Sequence, residues 1–289
     1  MHFKTVSGIL SAQNGMNLYR GCTHGCIYCD SRSTCYHMEH PFEDIEVKEN
    51  ALELLEAALR RKRRRCMIAT GSMSDPYMPQ EADLKYVQRA LELVLRYGFG
   101  WTVLTKSDLI LRDLSLMEQV HAQTKCIVQM TLTTADEALC RILEPHVCTT
   151  SRRFEVLKIL RDAGIPTVVW LSPILPFIND SIENIRAILE MCIEAKVFGV
   201  ICFGMGMTLR DGNREYYYAQ LDRYFPGLKT RYIRCYGNAY EVPSPREPEL
   251  MQLFHETCAA NGILHDNDEI FRRLTEFEER GQGEQLTLF

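Results

Sequence analysis

The sequence predicts an α/β fold in which a mostly parallel sheet carries helices packed against it. Short apolar runs alternate with helical stretches from about residue 66 to residue 203. The 289 residues include 46% hydrophobic and 25% charged side chains, an ordinary globular balance that suits one large domain with a buried core. No short period repeats along the chain, which argues against a solenoid.

Taken in order, residues 51–60 read as a helix that runs into six basic residues, Arg60, Arg61, Lys62, Arg63, Arg64 and Arg65. Cys66, Met67, Ile68, Ala69 and Thr70 then read as a strand. Leu84, Val87, Leu91, Val94 and Leu95 recur at helical spacing over residues 83–97. Residues 101–105 read as a strand, 108–120 as a helix and 126–132 as a strand. The helix over 154–163 stops at Gly164, a residue suited to the left-handed backbone that ends helices. A strand over 167–171, a helix over 182–195 and a strand over 198–203 complete the series. Periodicity does not decide between an open doubly wound sheet and a barrel. Beyond about residue 205 the pattern loosens, with helices over 250–260 and 270–279 and a flexible polar spacer over 281–284.

Charge and cysteine content narrow the function. With 33 Lys and Arg against 38 Asp and Glu the net charge is −5, which argues against a broad basic footprint for nucleic acid but not against a local one. The basic run ends a helix, where cations complement the dipole, and precedes a strand. It should therefore sit at the end of the sheet opposite the strand C-termini, as a solvated face. No apolar run reaches the ~20 residues that span a bilayer, and residues 1–10 lack the pattern of a secretory signal. A cytoplasmic protein without a membrane partner is the expectation. In that setting 12 cysteines suit metal ligation, thiol chemistry or core packing better than a disulfide framework.

The sharpest motif is Gly21-Cys22-Thr23-His24-Gly25-Cys26-Ile27-Tyr28-Cys29, with three cysteines at C-x3-C-x2-C spacing. Soft thiolates suit an iron–sulfur cluster or zinc. A [4Fe–4S] cluster takes four ligands, so three cysteines leave one iron open to a small molecule. Zinc would need a fourth ligand, which His24 or Cys35 could supply. A second C-x2-C pair, usual for structural zinc, is missing, since Cys235 and Cys258 are isolated.

The motif, with Tyr19 and Arg20 before it, resembles the signature of radical S-adenosylmethionine enzymes, most closely the spore photoproduct lyase-like branch. The resemblance runs over roughly residues 10–205. It implies a partial (β/α)6 barrel of the TIM type over residues 1–210, a C-terminal helical extension over 211–280 packed on it, and a tail over 281–289. It implies a [4Fe–4S] cluster on Cys22, Cys26 and Cys29, with S-adenosylmethionine chelating the unique iron. It further implies a reducing electron donor such as flavodoxin or ferredoxin, and reductive cleavage of the cofactor to a 5′-deoxyadenosyl radical that abstracts hydrogen from a substrate.

Parallel βα folds place sites at the C-terminal ends of strands, and that rule picks out further candidates. Gly71, Ser74 and Asp75 follow the strand over 66–70, in a loop that by resemblance reads the methionine end of the cofactor, with Ser74 as the contact. Lys106 follows the strand over 101–105 and is positioned to pair with a carboxylate. Thr131 and Thr133 offer hydroxyls after the strand over 126–132. By resemblance Tyr28 packs near the adenine.

Two positions depart from the lyase pattern. The cysteine that returns a hydrogen atom to the product is replaced here by Ser72, whose O–H bond is far stronger than a thiol S–H. The tyrosine that follows the third cluster cysteine is replaced by Asp30. Cys66 lies six residues before Ser72, roughly 20 Å along an extended strand, and Cys35 is the other thiol near the cluster loop. No catalytic hydrogen donor is assigned.

The chain ends Gln285-Leu286-Thr287-Leu288-Phe289. This resembles the pentapeptide by which bacterial DNA polymerases and repair proteins bind the sliding clamp. Gln285 would anchor by hydrogen bonds, and Leu286, Leu288 and Phe289 would fill an apolar pocket. Average residue usage produces the four anchors by chance in well under about one protein in a hundred. The leading expectation is a radical enzyme acting on DNA in repair or base modification, recruited by a clamp. The alternatives are a radical enzyme acting on RNA, a peptide or a small metabolite with a structural tail, and a non-enzymatic zinc or redox module.

Overall fold

The computed structural model describes residues 1–280; the spacer at 281–284 and the pentapeptide at 285–289 lie outside the described residues. In chain order the elements are β1 (His2–Lys4), β2 (Gly15–Met16), β3 (Tyr19–Arg20), β4 (Glu46–Lys48), α1 (Ala51–Arg61), β5 (Met67–Thr70), α2 (Glu81–Leu84), α3 (Tyr86–Tyr97), β6 (Gly100–Thr105), α4 (Leu114–Gln123), β7 (Cys126–Thr131), α5 (Glu137–Leu143), α6 (Thr150–Asp162), β8 (Thr167–Trp170), α7 (Ile182–Ala195), β9 (Gly199–Ile201), β10 (Gly206–Thr208), α8 (Asn213–Tyr224), α9 (Leu228–Tyr236), β11 (Glu241–Pro243), α10 (Glu247–Ala260) and α11 (Asn267–Thr275).

Six strands, β2, β5, β6, β7, β8 and β9, form one sheet in that order, and every neighbouring pair is parallel. This order decides what periodicity left open. A doubly wound sheet reverses its strand order partway, which puts helices on both faces. Here the order never reverses, so right-handed crossovers stack the helices on one face. The other face curls inward as a partial TIM-type barrel. All six residues of β7 are buried, as expected for a central strand covered on both sides. The helices present apolar stripes to the sheet; on α3 the stripe is Val87, Ala90, Leu91 and Val94.

Two helices expected from periodicity are divided. Lys85 adopts a left-handed backbone (φ 54°) and separates α2 from α3. The buried Glu81 carboxylate accepts from the Tyr86 and Val87 N–H groups and so caps α3. Between residues 108 and 120 the chain first forms a 3-10 turn, Asp108–Asp113, and only then α4. Both divided segments keep their apolar faces on the core.

The C-terminal part is not purely helical. β10 precedes residue 210 and pairs antiparallel with β11 beyond it, so core and extension share a ladder. α10 packs on α7 and α11 on β9. Tyr217 of α8 and Tyr232 of α9 are buried in one cluster with Cys26, Ile27 and Tyr28. At the other end, the basic run leads into the start of β5 and is mostly exposed. Arg65 pairs with Glu279, and Arg60 with Glu56 and the Tyr97 hydroxyl. The run thus sits where strands begin, away from their C-terminal ends.

Candidate active site

The C-terminal ends of β5 to β9 open into a cavity of about 810 Å³. Cys22, Cys26 and Cys29 line one side of it. Of the other residues expected at the site, Tyr28, Gly71, Ser74, Asp75, Lys106 and Thr131 also line it, as do Ser72 and Asp30. The far wall comes from Trp170, Phe203, Tyr240 and Glu247.

Two separate segments, around Phe42 and over residues 143–146, seat the cysteine loop. The Cys22 N–H donates to the Phe42 carbonyl, the Ile27 N–H to that of Leu143, and the His146 N–H to that of His24. Gly21 enters the loop at φ +86°, and a Cβ there would stand 2.5 Å from the Phe42 oxygen, so glycine is required at this turn. All three thiols are free. Burial pushes the Cys22 thiol up to about 12 and the Cys26 thiol up as well. They are neutral without metal and lose protons when they ligate one.

The potential ligand atoms around the thiols bear on the two metal readings. One tetrahedral zinc holds its sulfurs about 3.8 Å apart, given Zn–S bonds of about 2.3 Å. Among the described residues, only His2, His40 and Asp44 bring three potential ligand atoms within 4.8 Å of one another. The three thiols do not form such a group. Neither proposed fourth zinc ligand completes a site. His24 Nδ1 faces Asp75 Oδ2 at 3.3 Å, and Cys35 is exposed, accepting from Arg210 Nη1 at 3.4 Å. The donor set fits an iron–sulfur cluster.

Asp75 ties the site together. Its Oδ1 accepts from the Thr105 hydroxyl at 2.7 Å and the Tyr77 N–H at 2.9 Å, and its Oδ2 from the Lys106 N–H at 2.7 Å. Burial raises its pKa, but His24, Thr105 and the Lys106 N–H outweigh that and hold the carboxyl at about 2. With its oxygens so engaged, Asp75 positions the cysteine loop and the end of β6. Lys106 projects its ammonium to 6.0 Å from the centroid of the Tyr28 ring. Burial works against that charge, yet Cys26 once it loses its proton, and the charges of Glu144 and Asp75, prevail and raise its pKa.

Behind Tyr28 lies a layer with no clear signal in the sequence. The Tyr28 hydroxyl donates to Glu144, which pairs with Arg153, and both charged side chains are fully buried. Arg153 also donates to the carbonyls of Thr131 and Cys148. This tie joins the cysteine loop, α6 and the end of β7. An arginine at an inward position of α6 is the only hint, and it reads equally as a surface residue. The far wall was missed for another reason: its residues follow β9, where the periodicity loosens.

The remaining candidates divide. Ser74 reaches the cavity, but its hydroxyl donates to the Tyr19 carbonyl at 2.9 Å. Gly71 adopts φ +100°, and a Cβ would fall 2.0 Å from the Leu104 oxygen, so β5 and β6 approach this closely only with glycine. Thr133 lies behind the wall, not on it: it is fully buried, its hydroxyl has no partner, and its carbonyl accepts from Asn179 and Asn184.

A parallel six-stranded partial barrel with three cysteines lining the cavity at its mouth fits a cluster-bearing enzyme of the partial-barrel class. The model of the radical SAM superfamily matches residues 16–192, and the chain belongs to that superfamily. It is an enzyme whose cofactors are a [4Fe–4S] cluster and S-adenosylmethionine. An uncharacterised protein of Mycobacterium tuberculosis is 32% identical over 239 residues, covering 80% of this chain and 70% of that one. One of Methanocaldococcus jannaschii is 31% identical over 174 residues, 60% and 64% of the two chains. Spore photoproduct lyase complexed with dinucleoside spore photoproduct has a similar fold, with TM-score 0.61 and 13% identity over 86% of this chain and 74% of that one. A variant of that lyase with bound AdoMet and dinucleoside spore photoproduct aligns at TM-score 0.62 and 13% identity, over 90% and 81%. No helix among the described residues is long and apolar enough to cross a membrane.

Proposed function

We propose that this enzyme acts on DNA, in repair or base modification, and reaches it through a sliding clamp bound by Gln285, Leu286, Leu288 and Phe289. The terminal pentapeptide after a polar spacer carries this reading. A tethered motif raises the local concentration of the enzyme at DNA without a basic surface, which suits a net charge of −5. The lyase of similar fold is complexed with dinucleoside spore photoproduct, and the cavity of about 810 Å³ falls within the about 300–1,000 Å³ of small-molecule sites.

When bound, the cluster and cofactor supply a carbon radical that takes a hydrogen atom from the substrate. This chain's residues bind and orient. Lys106 meets the cofactor carboxylate as a point charge, the Tyr28 ring packs near the adenine, and Gly71 lets the backbone approach. Ser74 contacts the methionine end while remaining anchored to Tyr19, and the Thr131 hydroxyl contacts the ribose or carboxylate. Ser72 and Asp30 stand where the lyase pattern has its hydrogen relay, so the product differs from that of the lyase, or its radical is quenched by another route.

Two measurements test the reading. Reconstituted enzyme with dithionite and S-adenosylmethionine is given deuterated oligonucleotides. Deuterium in the 5′-deoxyadenosine formed supports DNA as substrate; transfer only from RNA or peptide probes overturns it. The Cys26→Ala variant should lose the ~400 nm cluster band and cofactor cleavage. A peptide of residues 281–289 should bind a sliding clamp, and unchanged clamp affinity after removal of residues 285–289 would refute recruitment.

A further inference from the structure

We propose that His2, His40 and Asp44 form a site for a divalent transition-metal ion of the zinc class, outside the cavity, that braces the segment supporting the first cluster cysteine. His2 lies on β1; His40 and Asp44 lie in the connection from the cysteine loop to β4. One ligand atom from each lies within 4.8 Å of the other two. His2 Nδ1 stands 3.0 Å from Asp44 Oδ2, close to the about 3.3 Å between two ligands of tetrahedral zinc with bonds of about 2.0–2.1 Å. The other Asp44 oxygen takes the Met1 amine at 2.6 Å.

His40 is the strongest pointer. Its Nδ1 is 3.1 Å from the Pro41 carbonyl, and donation there leaves the lone pair on Nε2. That Nε2 is buried and has no hydrogen-bond partner, a costly state for a polar atom. A ligating histidine typically has its other ring N–H tied to a carbonyl in this way. Glu46 Oε2, which also pairs with Lys4, lies 3.8 Å from the same Nε2, so a second carboxylate borders the site. Two imidazoles and a carboxylate with an open position suit zinc among the common divalent ions.

The site bears on the cluster through Phe42, which lies between His40 and Asp44. Its carbonyl accepts from the Cys22 N–H at 3.0 Å. An ion holding both flanks of Phe42 to β1 would fix the carbonyl that seats Cys22.

The test uses cluster-loaded protein, prepared anaerobically, exposed to zinc sulfate and desalted. The expected result is about one zinc per chain in addition to the cluster iron, with only nitrogen and oxygen neighbours in zinc-edge X-ray absorption. The His40→Ala and Asp44→Asn variants should each weaken zinc binding about tenfold or more while retaining their iron. Failure to retain zinc overturns the proposal. Sulfur neighbours, which would mean zinc in the cysteine loop, or zinc retained equally by both variants would also overturn it.

Discussion

At the residue scale, Asp75 shows how one side chain lining the cavity also ties together the elements around it. Sequence alone marks it as a polar group at a strand end. In the fold its oxygens accept from Thr105, Tyr77 and Lys106 and face His24, so it fixes the cysteine loop against β6. The sign of its pH effect follows from its pKa, about 2 in the fold against an ordinary 3.8. A carboxyl with a depressed folded pKa stabilises the protein above about pH 4 and loses that contribution as pH falls towards 2. The shift corresponds to about 2 kcal/mol at neutral pH. Asp75→Asn should therefore lower stability by about that amount in urea unfolding at pH 7, with the gap from the native protein closing below about pH 4. A gap independent of pH would remove Asp75 as its source.

At the scale of elements, the sequence was legible where one segment contains its own explanation. β5, β6, β7 and β8 each carry an apolar run, and α7 follows its predicted span because Ser181 caps it and Lys196 ends it in a left-handed turn. The small β1–β4–β3 sheet was not legible, since strands of two or three residues have no period to read. The split before α3 was hidden because it depends on Glu81 reaching forward to cap the next helix. Of the expected site residues, those at strand ends reached the cavity, whereas Thr133, two residues beyond Thr131, fell behind it. The Glu144–Arg153 pair was invisible for the same reason as the split: it exists only once α5, α6 and β7 meet. Removing one partner of a buried pair strands the other charge and costs about 3–5 kcal/mol. Glu144→Gln should destabilise the protein by about that amount and lower iron content after reconstitution, because the single amide oxygen cannot accept from both Tyr28 and Arg153. Adding Arg153→Met should recover much of the stability. A Glu144→Gln protein with unchanged urea midpoint and full iron would show that the pair does not support the loop.

At the scale of the whole molecule, the question is whether the barrel stands alone. The strand series ends by residue 203, which invites a boundary near 210, but the packing crosses it. Tyr217, Leu221, Tyr232 and Val242 are buried against Cys26, Ile27 and Tyr28, and β11 covers β10. Burying each such side chain contributes about 1.5–3 kcal/mol. Losing four removes of order 6–12 kcal/mol, comparable to the about 5–15 kcal/mol that holds a domain folded. A fragment of residues 1–210 should therefore be insoluble or unable to retain a cluster. Residues 1–280 keep every contact described here, so that fragment should match the full chain in thermal midpoint and in cofactor cleavage, within about twofold, while failing to bind a sliding clamp. The pair of truncations separates catalysis from recruitment. A folded, cluster-loaded fragment of residues 1–210 would make the extension an accessory. Loss of cofactor cleavage in residues 1–280 would instead give the tail a part in the active site, and its role as a tether alone would have to be abandoned.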